Sequence, residues 1–100
     1  MSAAMKARRM VRLKLYVAGG TQNSLLALAN LKAICRDHLP GRHEIEVIDV
    51  FDEPGRALED RIFMTPALIR LVPSPVRRIV GTLSQAETVL TALGLSSLSA

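Results

Sequence analysis

Residues 65–81, TPALIRLVPSPVRRIVG, predict two β-strands joined by a tight turn. The apolar run Ala67–Val72 ends at Pro73-Ser74-Pro75, and a second apolar run, residues 76–80, ends at Gly81. Proline interrupts a strand because it lacks a backbone N–H, and glycine tolerates backbone angles that are closed to other residues. Two strands this close in sequence are predicted to lie antiparallel, since a parallel pair needs a crossover of about a dozen residues.

Two further strands are predicted before this hairpin. Residues 10–18, MVRLKLYVA, alternate apolar and polar side chains, which is the two-residue period of a strand. Residues 44–51, EIEVIDVF, form the other candidate, and their apolar side chains become continuous after Val47. A continuous apolar run is typical of a strand that is covered on both faces, so we expect such cover here.

A long helix is predicted between these two strands. Three residues at its start have short side chains that can accept a hydrogen bond from an unpaired backbone N–H, namely Thr21, Asn23 and Ser24. The helix runs to about residue 38, before Pro40-Gly41 ends it. Its predicted apolar stripe consists of Leu28, Leu31 and Cys35, with Leu25 and Ile34 beside it.

Two shorter helices complete the pattern. Asp52-Glu53-Pro54 predicts a helix over roughly residues 55–62, because acidic side chains favour a helix N-terminus and proline suits the first turn. Ser84 and Glu87 have the spacing of a capping box, in which each side chain accepts from the other residue's backbone N–H. The last helix is therefore predicted to begin at Ser84 and to stop at Gly94.

The predicted order of elements is β-α-β-α-β-β-α. The first two strands are joined by a helix and are predicted to be parallel with a right-handed crossover. This order is the thioredoxin-like plan, an α/β fold with a mixed four-stranded sheet and helices on both faces. We predict one such domain over residues 11–94, between a basic flexible arm at residues 1–10 and a tail at residues 95–100.

Composition excludes several classes of function. The 100 residues are 49% hydrophobic, which suffices for one core, and no apolar run approaches the ~18 residues of a membrane span. Residues 6–14 hold five basic and no acidic side chains, but three aromatic residues are too few for stacking on nucleic acid, so nucleic-acid binding is disfavoured. The single cysteine cannot form an internal disulfide, which predicts a reducing, cytoplasmic setting.

The turn at Gly19-Gly20 lies where related architectures hold a phosphate, a dinucleotide or a redox cysteine. The stretch GGTQNS lacks the lysine and second glycine of a P-loop and the spaced glycines of a dinucleotide site. It also lacks the C-x-x-C of a thiol oxidoreductase. The turn is therefore predicted to be structural, with no cofactor.

Other reactive side chains also favour structural roles. Cys35 is predicted to be a core residue rather than a reactive thiol. His38 and His43 are predicted to be solvated loop residues, because two histidines without a cysteine or a helical i, i+4 spacing make a poor metal site. Five acidic residues could offer a carboxylate pair for acid–base chemistry, but helix capping and solvation explain them as well and are favoured. They are Asp49, Asp52, Glu53, Glu59 and Asp60. We predict no catalytic residue and no enzyme.

The blocks LKLYVAGGTQNS, EVIDVFDEP and EDRIFMTPALIRLVPSPVRRIVGTLS lie within residues 11–93. Together they closely resemble the KaiB family of bacterial circadian clock proteins. The resemblance implies a protein that binds the ring-shaped ATPase KaiC and is not an enzyme. It also implies two folds, which are a self-associated ground state, often tetrameric, and a thioredoxin-like state that binds the partner. Related domains begin a clock-linked sensor histidine kinase.

The chain departs from this family where the choice between folds is decided. Gly20 and Gln22 replace an asparagine and a proline, the family's acidic tail is missing, and Ala92 and Gly94 stand where glycine and aspartate are frequent. Alanine favours a helix over glycine by roughly 0.5–1 kcal/mol, against a gap of only a few kcal/mol between two such folds. We therefore predict a bias toward the thioredoxin-like fold. The residues assigned to turns and fold choice are Gly19, Gly20, Pro66, Pro73, Pro75, Ser84, Glu87, Ala92 and Gly94.

The resemblance places two binding surfaces on the chain. The short helix after Asp52 and the loop to Pro66 would contact the ATPase ring, with Glu53, Arg56, Asp60, Arg61 and Met64 as the candidates. A basic surface would serve a second partner, such as a KaiA-like protein or a sensor histidine kinase, or self-association into a dimer or tetramer. Its candidates are Arg12, Lys14, Arg77 and Arg78, and simple solvation is the alternative for each charged residue.

Two other functions fit parts of the same sequence. A stress-response or signalling adaptor that acts outside any clock would need the same fold and the same lack of catalytic groups. A thiol oxidoreductase is disfavoured by the missing C-x-x-C. The prediction is therefore a KaiB-like adaptor that binds a KaiC-type ATPase in circadian or related signalling.

Overall fold

A computed structural model describes residues 10–94. Its elements have the predicted order, with bounds that differ from the prediction by up to three residues. They are β1 (Val11–Val17), α1 (Gln22–His38), β2 (His43–Asp49), α2 (Pro54–Glu59), β3 (Ala67–Val72), β4 (Arg77–Val80) and α3 (Ala86–Ala92). The predicted tail, and the arm apart from Met10, lie outside the described residues, and the proposed domain bounds stay a prediction.

The four strands form one mixed sheet in the order β2-β1-β3-β4. β1 is parallel to β2 and antiparallel to β3, and β3 is antiparallel to β4. The predicted parallel pair and the predicted hairpin are both confirmed. β1 therefore lies at the centre of the sheet beside β3, while β2 and β4 form its edges.

Each face of the sheet has its own core. On one face, alternate residues of β1 pack with α1 and α3, including Leu13, Leu15, Leu31 and Leu90. On the other face, α2 contributes Ala57 to a smaller cluster with Tyr16, Ile48, Ala67 and Ile69. Helices cover both faces because side chains on a strand alternate between them, so β1 supplies apolar residues to both clusters.

The expected cover on both faces of β2 is wrong. Of its seven residues only Ile48 is buried, and Val47 is exposed. The strand lies at the edge of the sheet beside β1, so one side has no neighbouring strand and α2 reaches only part of its face. An apolar run is covered on both faces only when its strand lies inside the sheet. The run itself does not show whether the strand lies inside the sheet or at its edge.

The apolar stripe of α1 is confirmed except at Leu25, which is exposed. The buried apolar residues of this helix are Ala27, Leu31, Ile34 and Cys35, and Leu28 is partly buried against them. At 3.6 residues per turn, Leu25 lies about 120° around the helix from Leu31, which takes it off the buried face.

The predicted capping side chains are not used. α3 begins at Ala86 with Gln85 at the N-cap, so Ser84 lies one residue too early and no side chain caps the helix. Glu87 nevertheless lies in the first turn, where a negative charge stabilises the helix dipole. Thr21 occupies the N-cap of α1 without a side-chain bond. The predicted stop of α3 is confirmed, since Gly94 follows it with a φ of 72°.

Among residues 10–94, no helix has both the length and the apolar character needed to cross a bilayer.

Candidate functional site

An apolar groove lies between the loop after α2 and the strands β3 and β4. It encloses a volume of about 170 Å³. Its lining is almost wholly apolar, apart from two arginine side chains at its margin, Arg61 and Arg78. We call it the hairpin groove, and its apolar lining residues are Ile62, Phe63, Met64, Ala67, Leu68, Ile69 and Val80.

The loop that forms one wall of the groove is held by backbone hydrogen bonds. The N–H of Arg61 donates to Leu58 at 3.0 Å, and that of Ile62 donates to Ala57 at 2.8 Å. Arg61 adopts a φ of 55°, a left-handed conformation that is uncommon outside glycine and reverses the chain there. At the other end of the loop, the carbonyl of Pro66 accepts from the N–H of Gly81 at 3.0 Å.

This held loop projects two large apolar side chains into solvent. Phe63 is 84% exposed and Met64 is 65% exposed, although both line the groove. Phe51 and Leu58, which come before the loop in sequence, are also largely exposed but do not line the groove. Large exposed apolar side chains beside an apolar groove, as Phe63 and Met64 are, are typical of a protein-binding site rather than of a solvated face.

The prolines of the hairpin are cis at all three bonds, Thr65-Pro66, Val72-Pro73 and Ser74-Pro75. Pro66 directly precedes β3 and lies at the end of the loop that walls the groove.

The predicted residue Arg56 is engaged within the chain. Its two Nη atoms donate to the carboxylate of Glu46 at 2.7 and 3.0 Å, and Nη1 lies 3.5 Å from Glu53. The hydrogen bonds from Arg56 lower the pKa of Glu46. This fork ties α2 to the edge strand β2, so a partner would have to compete with Glu46 for the guanidinium.

Asp60 also makes its polar contacts within the chain. Its Oδ2 accepts from the Tyr16 hydroxyl at 2.5 Å and from Lys14 Nζ at 2.9 Å. The hydrogen bond from Tyr16, followed by that from Lys14, lowers the pKa of Asp60. Burial, with the hydrogen bond to Asp60, raises the pKa of Tyr16. These contacts join the end of α2 to the centre of the sheet, which indicates a structural role for Asp60.

The strand register divides the predicted basic surface. Arg12, Lys14 and Arg78 lie on the face that carries α2, whereas Arg77 lies on the opposite face, because neighbouring strand residues alternate. Arg12 pairs with Glu44 at 3.0 Å, and Lys14 pairs with Asp60. The four residues therefore do not form one basic surface, and only Arg78 of the four lines the hairpin groove.

The double-glycine turn is closed by the chain's own groups. Gly19 has a φ of 56°, and its N–H donates to Asp49 Oδ1, which also accepts from the N–H of Phe51. Ser24 Oγ accepts from the N–H of Ala18 at 3.0 Å. Glycine is not required at position 20, because a Cβ atom there would have no neighbour within 4 Å. The polar groups of this turn thus bond the backbone on either side of it.

The remaining candidates also have structural surroundings. Cys35 is fully buried, which confirms its place in the core, and burial raises its pKa to about 11. The expectation of two solvated loop histidines is wrong, because His38 ends α1 and His43 begins β2. His43 Nδ1 lies 2.7 Å from the carbonyl of Leu39. Among the described residues, no group of three or more potential ligands is placed to hold a metal ion.

Two of the groove residues, Arg61 and Met64, were predicted on one binding surface, and Arg78 was predicted on the separate basic surface. Phe63 and Val80 were not predicted on either surface. The position of Phe63 could have indicated its exposure. It directly precedes Met64-Thr65-Pro66 and lies outside every predicted strand and helix, so no predicted core would bury its ring. Val80 gave no such signal, because an apolar residue in a strand predicts burial. Its exposure follows from the place of β4 at the edge of the sheet.

Comparisons with known proteins give a consistent result. A family model described as the KaiB domain matches residues 14–95. The chain is 50% identical over 91 residues to the circadian clock oscillator protein KaiB of Prochlorococcus marinus strain MIT 9515, covering 91% of this chain and 84% of the relative. It is 49% identical over 90 residues to the protein of the same name from Nostoc sp. strain PCC 7120, covering 90% and 83%.

Solved structures share the fold at lower identity. The N-terminal domain of Synechococcus elongatus SasA superposes with a TM-score of 0.73 at 20% identity, over 92% of this chain and 87% of that domain. Chloroplastic thioredoxin z superposes with a TM-score of 0.71 at 20% identity, over 97% and 87%. These likenesses confirm the thioredoxin-like fold.

Proposed function

Because this chain belongs to the KaiB family, we propose that it is a non-enzymatic adaptor that binds a KaiC-type ATPase in circadian or related signalling. The hairpin groove, with the exposed side chains of Phe63 and Met64 beside it, is the observation that supports binding through this surface. The names of the relatives, circadian clock oscillator proteins, support the clock role.

The groove has the chemistry of a protein-binding surface. Burying a large apolar side chain contributes roughly 1.5–3 kcal/mol, and binding energy concentrates in a few such side chains at the centre of an interface. Phe63 and Met64 can supply this contribution, since the loop that carries them is already held by backbone hydrogen bonds. The guanidinium groups of Arg61 and Arg78 at the margin favour a partner segment with acidic side chains around an apolar one.

The absence of turnover is supported by how the polar groups are used. The polar side chains of the double-glycine turn bond the local backbone, and Asp60 is bonded to Tyr16 and Lys14. A thiol-redox role is disfavoured by the burial of Cys35 and its raised pKa, because only an accessible thiolate reacts. We also propose a cytoplasmic location, a second partner such as a KaiA-like protein or a sensor histidine kinase, and self-association into a dimer or tetramer.

The test is binding of the purified protein to a KaiC-type ATPase, measured by biolayer interferometry. Replacing Phe63 and Met64 together by serine should weaken binding at least 100-fold, since two central apolar contacts are lost. Leu58→Ser is the matched control, because Leu58 is 75% exposed and does not line the groove. Equal affinity of the double variant and the control would refute the placement of the site.

Charge reversal gives a second variant. Arg61→Glu should weaken binding about tenfold while the fold is retained, because the Arg61 side chain has no ion pair among the described residues. Reversal of Asp60 is unsuitable, since it would break the contacts with Tyr16 and Lys14. Failure of the unaltered protein to bind any KaiC-type ATPase would refute the adaptor function itself.

A further inference from the structure

An arginine on β3 is buried without an acidic partner. Arg70 is only 4% exposed and lies on the face that carries α1 and α3. Its Nη1 donates to the carbonyl of Leu93, and its Nη2 donates to the carbonyl of Pro75 at 2.6 Å. Its Nε is buried and has no hydrogen-bond partner. A guanidinium has five N–H donors, so these two carbonyls leave it incompletely satisfied.

A second arginine lies beside it. Arg77 is the cross-strand neighbour of Arg70 in the β3–β4 pair, and its side chain is exposed. Both guanidinium groups approach Gly94, where a Cβ atom would lie 3.2 Å from Arg70 Nη1 and 3.3 Å from Arg77 Nε. The two positive charges therefore converge on one small region at the end of α3.

No carboxylate balances these charges within the part of the chain that the structure describes. None of the five ion pairs there includes Arg70 or Arg77. The acidic residue of α3, Glu87, lies in its first turn, at the opposite end of the helix from Gly94. Burial lowers the pKa of Arg70, and the charge of Arg77 lowers it further.

We propose that Arg70 and Arg77 bind a phosphate-type oxyanion beside Gly94. The planar fork of a guanidinium matches the oxygens of phosphate, and such bonds are among the strongest that side chains make. A phosphate group carries about −1.5 to −2 charges at pH 7, which balances two guanidinium groups better than a single carboxylate does. The exposed Arg77 would make the first contact. Arg70 Nη1, which lies beside Gly94, would donate its second N–H to the anion from the protein side.

The phosphate can come from two small-molecule sources. Inorganic phosphate would use the guanidinium pair alone. A nucleoside triphosphate would place its terminal phosphate at the same pair and would bring a base and sugar that reach past Gly94. The site does not depend on the identity of the protein partner, because it lies on the face opposite α2 and Arg78.

The experiment is an NMR titration of the full chain, without any partner protein, at constant ionic strength set with chloride. Inorganic phosphate and ATP are added in separate arms, and the Gly94 amide and the Arg77 Nε–H are observed. We expect saturable shifts of both signals, and a rise in melting temperature of roughly 6–11 °C when phosphate reaches ten times its Kd. Shifts of further residues in the ATP arm alone would identify the nucleotide as the source.

Two glutamine variants make the test specific. Arg77→Gln should weaken phosphate binding at least tenfold, whereas Arg78→Gln should titrate like the unaltered protein, because Arg78 is the next strand residue but faces the other side of the sheet. In chloride buffer, Arg77→Gln should melt no lower than the unaltered protein, since the substitution relieves repulsion of Arg70. Shifts that do not saturate, or that Arg77→Gln leaves unchanged, would overturn the proposal.

Discussion

The contacts of Asp60 predict a specific loss of stability in Asp60→Asn. The substitution keeps the size of the side chain but removes the charge that Tyr16 and Lys14 contact at 2.5 and 2.9 Å. A hydrogen bond to a charged group contributes about 1.5–3 kcal/mol, and burial here is partial, since the Lys14 and Asp60 side chains are 17% and 28% exposed. Asparagine retains one acceptor, so we expect a loss of about 1.5–3 kcal/mol in total.

The same contacts fix how this loss depends on pH. The pKa of Asp60 is lower in the folded protein than the ordinary value of about 3.9 that applies to the unfolded chain. Its stabilising contribution is therefore complete above about pH 4 and is lost as pH falls through the folded pKa. The difference in free energy of unfolding between Asp60→Asn and the unaltered protein should be full at pH 7 and should shrink below about pH 4.

The assay is urea unfolding followed by circular dichroism at pH 7, 5 and 3, with protein concentration held fixed because self-association would add to stability. Glu59→Gln is the control, since Glu59 is the exposed neighbour and has no ion pair in the described chain. A loss below 0.5 kcal/mol at pH 7, on the order of an ordinary surface substitution, would refute the reasoning. So would a loss that is equal at pH 7 and pH 3.

Two further predictions concern the core cysteine and the double-glycine turn. Cys35 is buried with a pKa of about 11, so iodoacetamide at pH 8 should leave it unmodified in the folded protein and should label it rapidly in denaturant, as mass spectrometry would record. Labelling of folded protein at the denatured rate would contradict its burial. Gly19→Ala should lower the free energy of unfolding by about 1–2 kcal/mol because of the positive φ, whereas Gly20→Ala should change it by less than about 0.5 kcal/mol. Equal losses in the two variants, measured by urea unfolding, would show that the φ of Gly19 is not the cause.

The order of elements was predictable because each signal was local. The alternation in residues 10–18 and the turn at Pro73-Ser74-Pro75 depend on neighbouring residues only, and both agree with the structure. The exposure of Val47 was not predictable in this way, because it depends on β2 lying at the edge of the sheet. Strand order is a property of the whole chain, and an apolar run contains no information about it.

The candidate site was predictable in part. The ion pairs of its charged residues could not be predicted from the sequence. The resemblance assigned Arg61 and Met64 to the loop that forms one wall of the hairpin groove, but nothing in the sequence pairs Arg56 with Glu46 or Lys14 with Asp60. Such pairs join residues that are distant along the chain and meet only once the sheet has formed. Arg70 was missed for a related reason, since a lone arginine in a strand predicts a solvated side chain.

The way charges pair within the fold bears on what a partner can recognise. A basic side chain that already contacts a carboxylate, as Arg12 and Lys14 do, offers a partner little net attraction, because binding would exchange one ion pair for another. Phe63 and Met64 carry no such competing contact, and burying them releases water from apolar surface at no electrostatic cost. On the proposed binding surface, we therefore expect the apolar side chains to supply most of the binding energy and Arg61 and Arg78 to set the orientation of the partner.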